Sequence, residues 1–165
     1  MAGSLTDLQK LLIRASKEIP EKALRVIGVE GKKFIEKNFR DQGFTDTTTK
    51  KWESRKNEDK HGRNITRYRT NRVGRSGSLN RYGSRTTDRA ILVGFNTGGD
   101  KLKNSFKYIV SQGTGRVVFR SYKPYAARHN EGLKGMPKRQ FIGKSEYLNR
   151  QIADKIKREL DLTLR

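Results

Sequence analysis

Apolar residues return every three or four positions at the start of the chain. Leu5, Leu8, Leu11, Leu12, Ala15 and Ile19 form one stripe with lysines and arginines opposite, which predicts an amphipathic helix. Ser4 and Thr6 can each accept from the free amides of its first turn, with Asp7 and Gln9 three residues on in capping-box positions. Pro20 interrupts the stripe. Because proline is tolerated at a first helical position, Pro20-Glu21 predicts a second helix, carrying Ala23, Ile27, Gly31, Phe34 or Ile35, and Phe39, with Gly43 as its stop signal.

Beyond Arg89 the pattern becomes extended. "AILVGFN", "SFKYIV" and "RVVFRSY" are short apolar or alternating runs separated by the turn sequences "NTGGDK" and "SQGTG", which predicts two or three antiparallel strands. Lys144 to Leu160 turns helical again, with Leu148, Ile152, Ile156 and Leu160 four apart on one face. The expected architecture is one α+β domain over residues 1–165, with N-terminal helices and a C-terminal helix packed on a small antiparallel sheet.

Residues 45–89 break this order. They hold many arginines and almost no aliphatic residues, scattered without period, so they read as a basic, flexible insertion that cannot fill a core. Trp52 is the exception, the only tryptophan and too large an apolar surface to stand in water without reason.

Charge changes the picture most. Lys and Arg number 38 against 17 Asp and Glu, a formal charge of +21, which repels itself and draws in polyanions or acidic protein surfaces. Only 32% of residues are apolar and the mean hydropathy is −0.92, so a partner or an oligomer is expected to supply burial that the chain lacks. The absence of cysteine excludes disulfides and thiolate metal sites. No run has the character of a signal peptide or membrane span, so the expectation is a protein made and folded in a reducing cytoplasm, with the sequon at Asn64 a chance match.

Candidate chemistry is sparse. His129 near Glu131 has the residue types of an acid–base pair, yet the only other histidine, His61, lies in the insertion, and the expected role of His129 is a loop histidine making one structural hydrogen bond. "FNTGGDKLKNSF" lacks the spacing of a phosphate loop and reads as a hairpin turn; "GVEG" reads as a helix bend. No catalytic residue, metal site, cofactor or small-molecule substrate is therefore expected. The insertion is different: Arg63, Arg67, Arg69, Arg72, Arg75, Arg81 and Arg85, interleaved with Tyr68 and Tyr82, combine charge for phosphates with rings that stack on bases. A solvated loop, or a segment that folds against an acidic protein, has the same composition. No helix-turn-helix, zinc-finger or RNA-recognition signature points to sequence-specific binding.

The stretch "YKPYAARHNEGLKGMPKRQFIG", residues 122–143, reads as shape. Its prolines fix the backbone, its glycines allow tight reversals, and Tyr125, Phe141 and Ile142 serve as anchors to the sheet and final helix. The order of "FIEKNFRDQGF", "KKWESRK", "RAILVGFNTGGDKLKNSFKYIV", "PYAARHNEG" and "MPKRQFIGKSEYLNRQIADKI" resembles tailed-bacteriophage virion morphogenesis proteins, the tail-completion or head-tail joining group. The residues that carry the resemblance are Trp52, Tyr125, Ala126, His129, Gly132, Pro137, Arg139 and Phe141, and it spans nearly the whole chain except residues 57–88. The resemblance implies a non-catalytic α+β protein that joins a homo-oligomeric ring at the tail or neck of the virion. Its partners would be other tail, neck or connector proteins and packaged DNA, with no membrane. The longer basic insertion, and a glycine-rich "VGFNTGGDKL" where the family has a simpler turn, are departures. A stand-alone nucleic-acid-binding protein, and more distantly an enzyme, are the alternatives.

Overall fold

The computed structural model describes residues 5–54, 61, 90–92 and 100–164. The chain is α+β. Helix α1 (Leu5–Asp41) leads into a short hairpin of β1 (Gly43–Thr45) and β2 (Thr49–Lys51). After the undescribed stretches come a second hairpin, β3 (Phe106–Ser111) and β4 (Arg116–Ser121), a short helix α2 (Ala126–Glu131), and helix α3 (Glu146–Thr163). The two hairpins form separate antiparallel two-stranded sheets.

Where two N-terminal helices were expected, one 37-residue helix runs straight through Pro20. A proline inside a helix costs about 3 kcal/mol, through a lost hydrogen bond and a clash with the carbonyl four residues back. Ser16 and Pro20 are both exposed, so the carbonyl left without its donor lies on the open side of the helix, while Ala15, Leu24 and Gly28 keep the opposite side buried. The helix ends at Asp41, two residues before the expected glycine. Gln42 takes the left-handed conformation (φ 52), and Gly43 is needed for another reason: a Cβ there would sit 2.6 Å from the Lys50 carbonyl oxygen across the hairpin.

Helix α3 lies antiparallel to α1. Its end is tied by Lys22 Nζ donating to Thr163 Oγ1 at 3.0 Å, its middle by Lys155 to Glu30 at 2.5 Å, and its start by Tyr147 stacked on Phe34 at 6.4 Å. Burial would raise the Glu30 carboxyl, but the ammonium groups of Lys155 and Lys33 outweigh it and hold its pKa below the ordinary value. The start of α3 also has a double cap. Ser145 Oγ accepts from the Leu148 amide at 3.1 Å, and Asp46, in the first hairpin, accepts from the Glu146 amide at 2.8 Å.

The second hairpin packs its inner face, Phe106, Tyr108 and Phe119, on α1. Gly28 and Gly31, the two glycines of "GVEG", sit directly beneath the rings of Tyr108 and Phe119, where any Cβ would overlap ring carbons. They are seats for aromatic rings; the bend reading is corrected. Gly31→Ala gains up to about 1 kcal/mol of helix propensity but overpacks Phe119 at a cost of about 1–3 kcal/mol. Denaturant unfolding is expected to show a net loss.

Of the "AILVGFN" run, Ile91 and Leu92 form a turn, with Leu92 at φ 61, and residues 93–99 lie outside the described residues. The expected strand is corrected at that end. Gln42 holds the turn in place, donating to the Ile91 carbonyl at 3.3 Å and accepting from its amide, and so Ile91 is carried into the core.

Candidate functional site

The core centres on residues 141 and 52. Phe39 stacks on Phe141 at 5.1 Å, Phe106 meets Phe141 at the same distance, and Trp52 stands edge-on to Phe39 at 5.4 Å. Trp52 Nε1 donates to the Gln140 carbonyl at 2.7 Å, so the indole buries its apolar body and satisfies its polar tip together. The first ten residues of the segment read as an insertion therefore belong to the fold. Thr45 is buried, receives the Ser145 hydroxyl on its carbonyl at 2.8 Å, and donates its amide to Asn38 Oδ1 at 3.2 Å.

Two asparagines fix the backbone of residue 141 from opposite sides. Asn38, fully buried on α1, donates its amide to the Phe141 carbonyl at 3.1 Å; Asn130, buried on α2, accepts from the Phe141 and Ile142 amides, each at 3.0 Å. Sequence reasoning missed both. An asparagine inside a helical run is a signal of a kind, since it is a weak helix former that prefers caps and turns.

The motif residues divide accordingly. Phe141 is core, and Arg139 is buried with its Nε and Nη2 both donating to the Glu53 carbonyl at 3.3 Å while its amide donates to the His129 carbonyl at 2.8 Å. Gly132 ends α2 at φ 72, and a Cβ there would come within 3.0 Å of the Lys138 backbone, so only glycine closes this turn without strain. Pro137 is half-buried within the same reversal. The loop is thus not irregular throughout: α2 occupies its centre. Tyr125 departs from its expected role as an anchor, remaining 38% exposed with its ring edge-on to His129 at 5.9 Å. Arg63, Arg67, Arg69, Arg72, Arg75, Arg81 and Arg85 lie outside the described residues.

His129 was expected to make a structural hydrogen bond, yet its Nδ1 is buried with no hydrogen-bond partner. Burial, and then the nearby Arg139 guanidinium, push its pKa below the ordinary histidine value. A depressed histidine binds fewer protons folded than unfolded, so its contribution is present above about pH 6.5 and is lost as pH falls from there through the folded value. Thermal melts between pH 7.5 and 5 are expected to show falling stability that His129→Gln flattens. Glu131 is exposed and receives the Asn130 amide. Among the described residues, no three or more histidines and carboxylates gather as a metal site would require, and no helix is long and apolar enough to cross a membrane.

The other unusual feature is at the far end of the helix pair. α3 finishes at Thr163 beside Ile19 and Lys22, so α1 continues past its partner as an arm. Of the side chains described between residues 9 and 18, Ala15 alone is buried; Leu12 and Ile13 are 57% and 59% exposed, and Leu162 at the end of α3 is 67% exposed. Comparison with protein-family models, curated proteins and solved structures finds no match.

Proposed function

We propose that this chain is a structural assembly protein of a tailed-phage particle, acting in tail completion or head-tail joining as one subunit of a ring in the neck or connector. The observation that carries this reading is the arm of α1. An exposed apolar helix end, with Leu162 and Leu164 also exposed where the chain finishes α3, is the surface of a molecule that completes its burial against neighbours. A chain of +21 with so little apolar content has a particular need of such neighbours.

The order of motifs supports the same reading. Its residues serve shape: Phe141 and Trp52 fill the core, Arg139 and Gly132 fix the reversal between α2 and α3, and no step of chemistry is assigned to His129 or Glu131. The protein would act in the virion, at its tail or neck, after assembly in the host cytoplasm. Gold-labelled antibody to the chain, applied to particles made by the genome that encodes it, is expected to mark the head-tail junction. Particles that assemble fully and carry no label would refute the proposal.

A further inference from the structure

The outer face of the β3–β4 hairpin carries charge of one sign. In register, Lys107 stands directly opposite Arg120, Ile109 opposite Val118, and Ser111 opposite Arg116. All of these except Ser111 are exposed, and the face carries three cations and no carboxylate. Like charges directly opposite in a ladder are destabilising, because their side chains stand about 5 Å apart. The rest of the fold does not need them there, since the inner face alone packs on α1. Asp100, which reaches the base of the hairpin, is engaged by Lys123 at 2.5 Å and by the Tyr122 hydroxyl at 3.2 Å.

We propose that this face binds the phosphate backbone of duplex nucleic acid. The inference goes beyond the assembly role, since it holds whether or not the chain enters a particle. Arg116 and Arg120 lie four residues apart on one strand, a span of about 13–14 Å, and Lys107 widens the row across the ribbon. A duplex presents one negative charge per about 1.7 Å of axis, so such a row meets several phosphates at once. The ribbon also suits the partner in form, because the major groove is wide enough to admit a two-stranded β-ribbon, with its cations toward the flanking phosphates. The tip is open: a Cβ added at Gly113 or Gly115 would meet nothing within 4 Å. An acidic polypeptide satisfies the charge but has no comparable regular row of anions.

The test is binding of the full chain to random-sequence duplex DNA across about 50–200 mM salt, read by fluorescence anisotropy. The triple variant Lys107→Gln, Arg116→Gln, Arg120→Gln is expected to lower the slope of log K against log salt by about 2–3 and to weaken binding on the order of 100-fold near 0.1 M salt. A control variant that removes as much charge from the helices, Arg14→Gln, Arg25→Gln and Arg150→Gln, is expected to change the slope far less. An unchanged slope in the hairpin variant overturns the proposal, as does an equal fall in the control, which would mean that bulk charge alone is read. Retained DNA binding with lost binding to polyglutamate would also overturn it, assigning the face to an acidic protein. Removing the like-charge pair should leave melting unchanged or raise it. Should the glutamine variant melt early, the charge-preserving set Lys107→Arg, Arg116→Lys and Arg120→Lys must keep the salt slope, and its loss there counts against the proposal.

Discussion

Asn38→Leu is expected to destabilise the fold by roughly 2–6 kcal/mol, although leucine repeats the branched outline of the asparagine side chain. Each buried polar group left unsatisfied costs about 1–3 kcal/mol, and this substitution strands two: the Phe141 carbonyl and the Thr45 amide. The side chain is fully buried, so water has no path to replace it. It also ties the first hairpin and the segment leading into α3 to the same point on α1. Total stabilities are about 5–15 kcal/mol, so a loss of this size reaches a large share of the whole. Urea titration followed by Trp52 fluorescence measures it directly, because the indole sits beside Phe39 one residue from Asn38.

Phe141→Ala is expected to cost about 3–5 kcal/mol. The ring is 1% exposed and touches both Phe39 and Phe106, thereby joining α1, β3 and the loop before α3. Collapse around the missing ring is limited by the backbone, which Asn38 and Asn130 hold from both sides. A cavity should therefore persist. Phe141→Leu, which refills most of the volume, is expected to lose clearly less in the same titration, and an equal loss would show that the ring's contacts matter less than a specific aromatic geometry.

Much of the fold was legible because it depends on period. The stripe of α1 from Ala15 onward, that of α3 and the alternation of β3 and β4 follow from burial on one face, and a sequence displays that directly; Leu12, in the same expected stripe, is exposed. What escaped it was set by distant partners. Pro20 looked like a boundary because local propensity cannot register a helix whose opposite side is buried on both flanks of the proline, at Ala15, Leu24 and Gly28. The first hairpin looked like low-complexity chain because its strands are three residues each, and β2 is exposed along its length; what holds it are Asn38 from the helix just before it and Ser145 from far along the sequence. Gly28 and Gly31 acquire meaning only when Tyr108 and Phe119 arrive above them. The loop around His129 was read as shape, but of its fixing groups, Asn38 and Asn130, the sequence offers only the weak signal of an asparagine in or near a helical run, and nothing that names its partner.

In the proposed role, the arm of α1 is the surface that meets other subunits. Mass photometry and sedimentation of the full chain over a range of concentrations, beside the variant Leu12→Asp, Ile13→Asp, bears on this most directly. Discrete multimers that the variant loses while its melting transition stays in place are the predicted result. A full chain that remains monomeric at every concentration, indistinguishable from the variant, would contradict it.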